Sequence, residues 1–175
     1  MKILQLGKFY PIEGGVEKVM YDLLAGLSER GIPCDMLCAY TGKGNLEVEL
    51  TPQNRIFCTR TLLKKYATMI SLSMIVKLRK MASQYDIIHV HHPDPMAALA
   101  LWLSGYKGKV VLHWHSDIVK QKKLLWLYTP LQNWLIRRAD MIVGTTPVYL
   151  SASRHLTRVQ DKCTYLPIGI DPIKP

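Results

Sequence analysis

Lys2-Ile3-Leu4-Gln5-Leu6-Gly7-Lys8-Phe9-Tyr10-Pro11-Ile12-Glu13-Gly14-Gly15 opens the chain, and its reading decides the fold. A short apolar run ends at a glycine, and the loop that follows delivers two adjacent glycines to a segment with helical spacing. Val16, Val19, Met20, Leu23, Leu24 and Leu27 recur at that spacing, and Gly31 followed by Pro33 supplies the stop. Strand, glycine loop and amphipathic helix in this order begin a β-α unit.

The same rhythm repeats outward along the chain. Strands are predicted at 2–6, 34–39, 55–59, 86–90, 109–114, 140–144 and 163–166, and helices at 15–30, 68–85, 95–104, 120–138 and 147–155. No internal repeat interrupts the alternation. Right-handed crossovers then make this an α/β, doubly wound domain with a parallel sheet of about seven strands covered on both faces. With 175 residues and 20.0 kDa, the chain suits one such core.

In a doubly wound sheet ligands bind outside the carboxyl ends of the strands, where helix amino-termini point into the crevice. The loops there are 7–15, His91-His92-Pro93-Asp94, His115-Ser116-Asp117 and Thr145-Thr146-Pro147. Gly14 and Gly15 place unpaired backbone N–H groups at a helix start, a setting that suits a diphosphate, although a tight turn alone also explains two glycines. The loop lacks the G-x-G-x-x-G fingerprint, and the second strand ends at Tyr40-Thr41 without an acid for a ribose hydroxyl, so nicotinamide binding is disfavoured.

Five of the six histidines fall in His89-Val90-His91-His92 and His113-Trp114-His115, at the ends of two consecutive predicted strands. Alternation puts His89 with His91, and His113 with His115, on common faces. A neutral imidazole at the crevice can hold a sugar hydroxyl or assist proton transfer near pH 7, with Asp94 and Asp117 orienting it or binding hydroxyls themselves. His89 and His113 read as packed histidines, His115 as a functional one. The H-x-H pattern also permits a metal-dependent hydrolase, but beyond His115 the chain offers only His155 and scattered acids as further ligands.

A formal charge of +10 and a pI near 9.5 suit an anionic partner. The excess sits in two places: no acid occurs between Glu49 and Asp86, nor between Asp117 and Asp140, while bases do. In 119–138 the bases are mixed with Trp126, Tyr128 and Trp134, which suits an anionic lipid surface; the segment 55–80 carries the same excess. A solvated helix face explains such runs equally well, and no nucleic-acid-binding module accompanies the charge. The four cysteines show no C-x-x-C spacing and read as reduced core residues. Neither a signal peptide nor a bilayer-length apolar run is visible, so the expected location is the cytoplasm, with peripheral contact at the inner face of the membrane.

Taken together, Pro11-Ile12-Glu13-Gly14-Gly15-Val16-Glu17, Asp86-Ile87-Ile88-His89-Val90-His91, His113-Trp114-His115-Ser116-Asp117, Ala139-Asp140-Met141-Ile142-Val143 and Tyr165-Leu166-Pro167-Ile168-Gly169-Ile170-Asp171 resemble, in order and spacing, the retaining glycosyltransferases of family 4, also called group 1. The resemblance implies the Rossmann-like amino-terminal, acceptor-side half of the two-domain GT-B fold over 1–175. It implies transfer of a sugar from a UDP- or GDP-linked donor to a saccharide or lipid-linked acceptor with retention, without a metal or other cofactor. Gly14 and Gly15 then lie against the donor diphosphate and acceptor, and His115 lies near the transferred sugar as the catalytic candidate. Glu13, His91, His92, Asp94, Ser116 and Asp117 are the candidates for acceptor or sugar hydroxyls. The family's usual hinge Asn is Ile168 here. The donor-nucleotide domain is expected to follow Pro175, which would leave this chain alone inactive. The rival reading is a non-catalytic module that binds carbohydrate or anionic lipid.

Overall fold

A computed structural model describes residues 1–65, 68–118 and 122–169, with the backbone alone at 65, 68 and 122–125. The stretch 119–121 of the basic segment and Ile170-Asp171 of the hinge motif therefore lie outside the described residues.

The elements run β1 (Ile3–Tyr10), α1 (Gly15–Glu29), β2 (Cys34–Tyr40), β3 (Leu46–Thr51), β4 (Asn54–Arg60), β5 (Leu63–Lys65), β6 (Thr68–Ile70), α2 (Leu72–Met81), β7 (Ile87–His92), α3 (Pro95–Ser104), β8 (Lys109–Trp114), α4 (Lys122–Arg138), β9 (Met141–Gly144), α5 (Pro147–Ala152) and β10 (Cys163–Tyr165). Single 3₁₀ turns at Ala82–Gln84 and Gln160–Lys162 lead into β7 and β10. Eight strands form one sheet in the order β10-β9-β8-β7-β1-β2-β4-β3, parallel except for β3, and β5 with β6 form a separate hairpin.

The order reverses at β1: α1 carries the chain to β2 on one side, and β7 returns on the other. This is the switch point at which a crevice opens outside the strand ends. Helix α1 packs on β1 and β2, while α2, α3 and α4 lie side by side, α2 against α3 and α3 against α4. Alternation divides β7 and β8 between two surfaces. Ile88, Val90, Val110, Leu112 and Trp114 join the large core with α2, α3 and α4, and His89, His91, His113 and His115 point the other way.

Local chemistry sets the ends that matter for the site. In α1, Met20 and Leu24 are fully buried. Gly31 at φ 71 closes the helix as Ile32 N–H donates to Leu27 O and Gly31 N–H to Ser28 O, both at 2.9 Å, the paired bonds of a Schellman end. In α3, Asp94 caps the first turn, Pro95 fits the first helical position, and Gly105 takes the left-handed position at the end.

Three expectations change. The main sheet has eight strands rather than about seven, because Leu46-Glu47-Val48-Glu49-Leu50-Thr51 pairs antiparallel with β4. It is a half-exposed edge strand, its acids Glu47 and Glu49 facing Arg55. The helix expected at 68–85 starts only at Leu72, since 68–70 closes the hairpin with β5; Ser71 Oγ, bonded to Thr59 Oγ1 and Arg60 O, anchors the turn into it. The loop expected at His91-His92 belongs to β7, which carries both side chains on the last turns of a strand.

Candidate functional site

The crevice beside β1 and β7 is built on backbone first. Gly7 has φ 137, and a Cβ there would come within 3.4 Å of Asp94 Oδ2 and of His91 O, so the glycine lets β1 and β7 close at their ends. Lys8, at φ 56, donates its N–H to Asp94 Oδ2 at 2.5 Å and its Nζ to Pro93 O at 2.5 Å. Asp94 Oδ1 accepts from Met96 N and Ala97 N at 3.0 and 3.1 Å. Both carboxylate oxygens of Asp94 are thus engaged in joining β1 to the start of α3. Burial raises the Asp94 carboxyl and the Lys8 ammonium opposes the rise.

Gly14 and Gly15 open α1 with φ 138 and 59 and no side-chain cap. A Cβ at Gly14 would meet nothing within 4 Å, and the cap residue offers no side chain to the helix start, where the Glu17 carboxylate accepts from its own backbone N–H. Glu17, in the first turn, is buried, which pushes its carboxyl upward; Glu13 is exposed at the loop.

The histidines form a stack. Centroids lie 4.7 Å apart for His89–His91, 5.2 Å for His91–His115 and 4.0 Å for His113–His115, with rings tilted by 21°, 19° and 14°. Burial pushes His89 and His115 down to about 3 and His113 to about 4, and holds His91 well below the ordinary imidazole value. All four are neutral at pH 7. His91 Nδ1 is 2.9 Å from His115 Nε2, and His91 Nε2 is 2.6 Å from Gln5 Oε1. The backbone N–H of His115 donates to His92 O at 3.1 Å, which fixes the strand end.

His89, His91 and His113 bring ligand nitrogens within 4.8 Å of one another. A tetrahedral zinc at about 2.0–2.1 Å from its ligands holds them roughly 3.3 Å apart, with lone pairs converging on the ion. Here the rings are near-parallel, 12° between His89 and His113, so their lone pairs run side by side. In this arrangement the rings stack rather than converge on one point.

His92 goes to the opposite side of β7. It stacks on Trp114 at 3.8 Å and 4°, and its Nε2 lies 3.3 Å from Gln132 Oε1. Trp114 Nε1 donates to Asp117 Oδ1 at 2.8 Å, as does Ser153 Oγ at 2.9 Å, and the Asp117 N–H donates to Tyr149 OH. Asp117 thereby ties the loop after β8 to α5 and to Ser153 at its carboxyl end. Ser116, half-buried, lies next to His115 in that loop. Of the residues singled out from sequence, His91 and His115 come together, Gly14 and Gly15 open α1 beyond the end of β1, and His92, Asp94 and Asp117 hold neighbouring strand ends and loops in place. Gln5 and Lys8 escaped notice. Gln5 had a signal, as a polar residue inside an apolar strand, whereas the position of Lys8 depends on a backbone turn that no spacing announces.

A largely parallel, doubly wound domain with an uncapped glycine-led helix start and a bank of neutral imidazoles at its strand ends belongs to the class of Rossmann-like domains. Its family follows from comparison with known proteins: the model of Glycosyltransferase Family 4 matches residues 13–174, and the chain is a member of that family. It is 33% identical over 173 residues to O-antigen chain mannosyltransferase C of Escherichia coli, covering 98% of this chain and 46% of that protein. It is 30% identical over 175 residues to D-rhamnosyltransferase WbpZ of Pseudomonas aeruginosa, covering 98% and 45%. The chain thus spans just under half the length of these relatives. Among solved structures, sucrose-phosphate synthase from Thermosynechococcus elongatus superposes with a TM-score of 0.68 at 15% identity, over 98% of this chain and 49% of that one. Anabaena Alr3699/HepE in complex with UDP and glucose superposes with a TM-score of 0.62 at 14% identity, over 98% and 45%. The fold is the Rossmann-like half of the GT-B architecture.

Proposed function

We propose that this chain is the amino-terminal, acceptor-side half of a retaining glycosyltransferase that moves a sugar from a UDP- or GDP-linked donor to a saccharide or lipid-linked acceptor in polysaccharide assembly. What supports this reading is an uncapped helix start at Gly14-Gly15 after β1 and a neutral, half-buried His115 after β8, both beyond carboxyl ends of parallel strands of one sheet. The amides at the start of α1 suit a departing diphosphate, since they are fixed donors where negative charge grows. The Lys8 ammonium adds positive charge nearby. His115 holds a hydroxyl of the transferred sugar while positive charge develops at its ring, and a neutral imidazole avoids repelling that charge. Both relatives named above are sugar transferases by name, which supports the reading.

The test is a screen of UDP- and GDP-sugars, with saccharide acceptors, on a polypeptide extended to the relatives' full length and on this chain. Nucleotide release by the extended protein and none by the chain is expected. No release by the extended protein with any donor would leave the non-catalytic binding module as the better account.

Peripheral membrane contact belongs to the same proposal. Trp126 and Leu127 at the start of α4 are 80% and 70% exposed, and Leu62, Leu63, Leu72 and Val148 are exposed as well. Leu62 follows β4, Trp126 and Leu127 follow β8 and Val148 follows β9, so apolar side chains, with Arg60 at the end of β4, lie beyond the carboxyl ends of main-sheet strands, where a lipid-linked acceptor would arrive. No helix among the described residues is long and apolar enough to cross a membrane. Within this reading the protein works at the cytoplasmic face.

A further inference from the structure

The histidine stack is connected to the interior of the sheet by one side chain. Gln5, in the middle of β1, and His91, near the end of β7, are both 0% exposed. Gln5 Oε1 lies 2.6 Å from His91 Nε2, and His91 Nδ1 lies 2.9 Å from His115 Nε2. On its other side Gln5 Nε2 donates to Cys34 Sγ at 3.8 Å, and Cys34 Sγ in turn donates to Asp35 O at 3.8 Å.

Each link has one direction. Burial pushes the Cys34 thiol up to about 12, so it keeps its proton at neutral pH. That proton faces the Asp35 carbonyl, which leaves a sulfur lone pair for the Gln5 amide group. The Gln5 carbonyl oxygen, an acceptor only, then faces His91 Nε2, which must carry the ring proton. A neutral imidazole has one N–H, so His91 Nδ1 is a lone pair. His115 Nε2 must donate to it, and His115 Nδ1 is left without a proton. Among the described residues nothing hydrogen-bonds that Nδ1, and it is the ring nitrogen left for a ligand.

We infer that Gln5 is a positioning residue: acting through His91, it fixes the tautomer of His115 so that the crevice is offered a hydrogen-bond acceptor. The tautomer follows from the chain of contacts alone. Its consequence for substrate rests on the glycosyl-transfer reading: a sugar hydroxyl can donate to Nδ1, whereas an O-methylated or deoxy position cannot, and a carboxylate would meet lone pair with lone pair.

The experiment reads the tautomer directly. The chain is labelled with 15N-histidine, and two-bond 1H–15N correlation spectra are recorded at pH 7, with the His115 signals assigned by their loss in His115→Gln. In the wild-type chain His115 is expected to carry its proton on Nε2 and none on Nδ1. In Gln5→Met, which keeps the volume and removes the acceptor, the ratio of the two His115 tautomers is expected to shift by about tenfold toward Nδ1–H, the worth of one hydrogen bond in such a site. A proton on Nδ1 of wild-type His115 overturns the inference, as does an unchanged ratio in a folded Gln5→Met. The wild-type spectrum decides the tautomer even where the variant does not fold. Because no substrate enters the measurement, a failed donor screen leaves this result standing, and a wrong tautomer leaves the transferase reading standing.

Discussion

His115 sits where one strand ends, with its amide held by His92 O and its ring held by His91. In the proposed reaction, replacing it by alanine removes a contact to the transferred sugar, while the apolar cores of the sheet lie elsewhere. In a full-length protein, His115→Ala is expected to lower kcat by about tenfold to a thousandfold with the fold preserved, read by nucleotide release and by circular dichroism. Wild-type turnover would remove His115 from the mechanism. Gly14 makes a different kind of demand. Its φ 138 and ψ −168 lie in a region that side chains tolerate poorly, although the space beside it is empty. Gly14→Ala is therefore expected to cost about 1–3 kcal/mol of stability through the backbone alone. It should also weaken binding of a nucleoside diphosphate, measured by calorimetry on the full-length protein. A variant as stable as wild type would show that the α1 start relaxes to another conformation.

At the scale of elements, Asp94 joins three of them: it caps α3, receives the Lys8 amide from β1 and follows β7. Asp94→Ala is expected to cost about 2 kcal/mol, the upper range for a lost cap, with the loss visible as faster hydrogen exchange at Met96 and Ala97. The apolar rim predicts a second effect of elements rather than atoms. Trp126→Ser combined with Leu127→Ser should reduce sedimentation with phosphatidylserine-containing vesicles at least severalfold, and binding to neutral vesicles should be weak for both proteins. Equal sedimentation of the two would place the contact elsewhere.

Most of this layer was legible in the sequence because apolar spacing records which face of an element is covered. The first helix, the β7–α3 and β8 segments and β9 stand close to their expected bounds. The edge strand β3 was missed although Leu46, Val48 and Leu50 alternate with Glu47 and Glu49, the pattern of a strand with one covered face. The β5–β6 hairpin hid inside an apolar, basic run whose spacing continues smoothly into α2. At the site, alternation foretold that His89 and His91 share a face and that His113 and His115 do. It could not foretell that Asp94 Oδ2 takes the Lys8 amide or that Asp117 Oδ1 takes the Ser153 hydroxyl, since those partners lie 86 and 36 residues away along the chain.

For the molecule as a whole, five neutral, buried or half-buried imidazoles predict how stability follows pH. In the unfolded chain histidines protonate near pH 6.5. In the folded one burial delays this to about 3 for His89, His92 and His115 and about 4 for His113, with His91 also depressed. The unfolded state therefore binds more protons below pH 6.5, and stability falls as pH falls. Glu17 and Asp94, raised by burial, act in the opposite sense, adding stability as pH falls through their raised values. Between pH 6.5 and 5 the unfolding free energy from urea titrations should drop more steeply than the roughly 1.4 kcal/mol per pH unit of a single group. A flat profile would mean that the stack takes up protons without unfolding.

The two-sidedness of β7 and β8 has a consequence for how such a protein can diversify. Val90, Leu112 and Trp114 answer to the helices behind the sheet, while His89, His91 and His113 stack on the opposite face and carry the half-buried His115. In the proposed transferase, selection for a new sugar and selection for a sturdier fold then act on alternate letters of the same short words. A library that varies every second residue of 87–92 and 109–114 would explore specificity in one phase and robustness in the other, with little interference between the two searches.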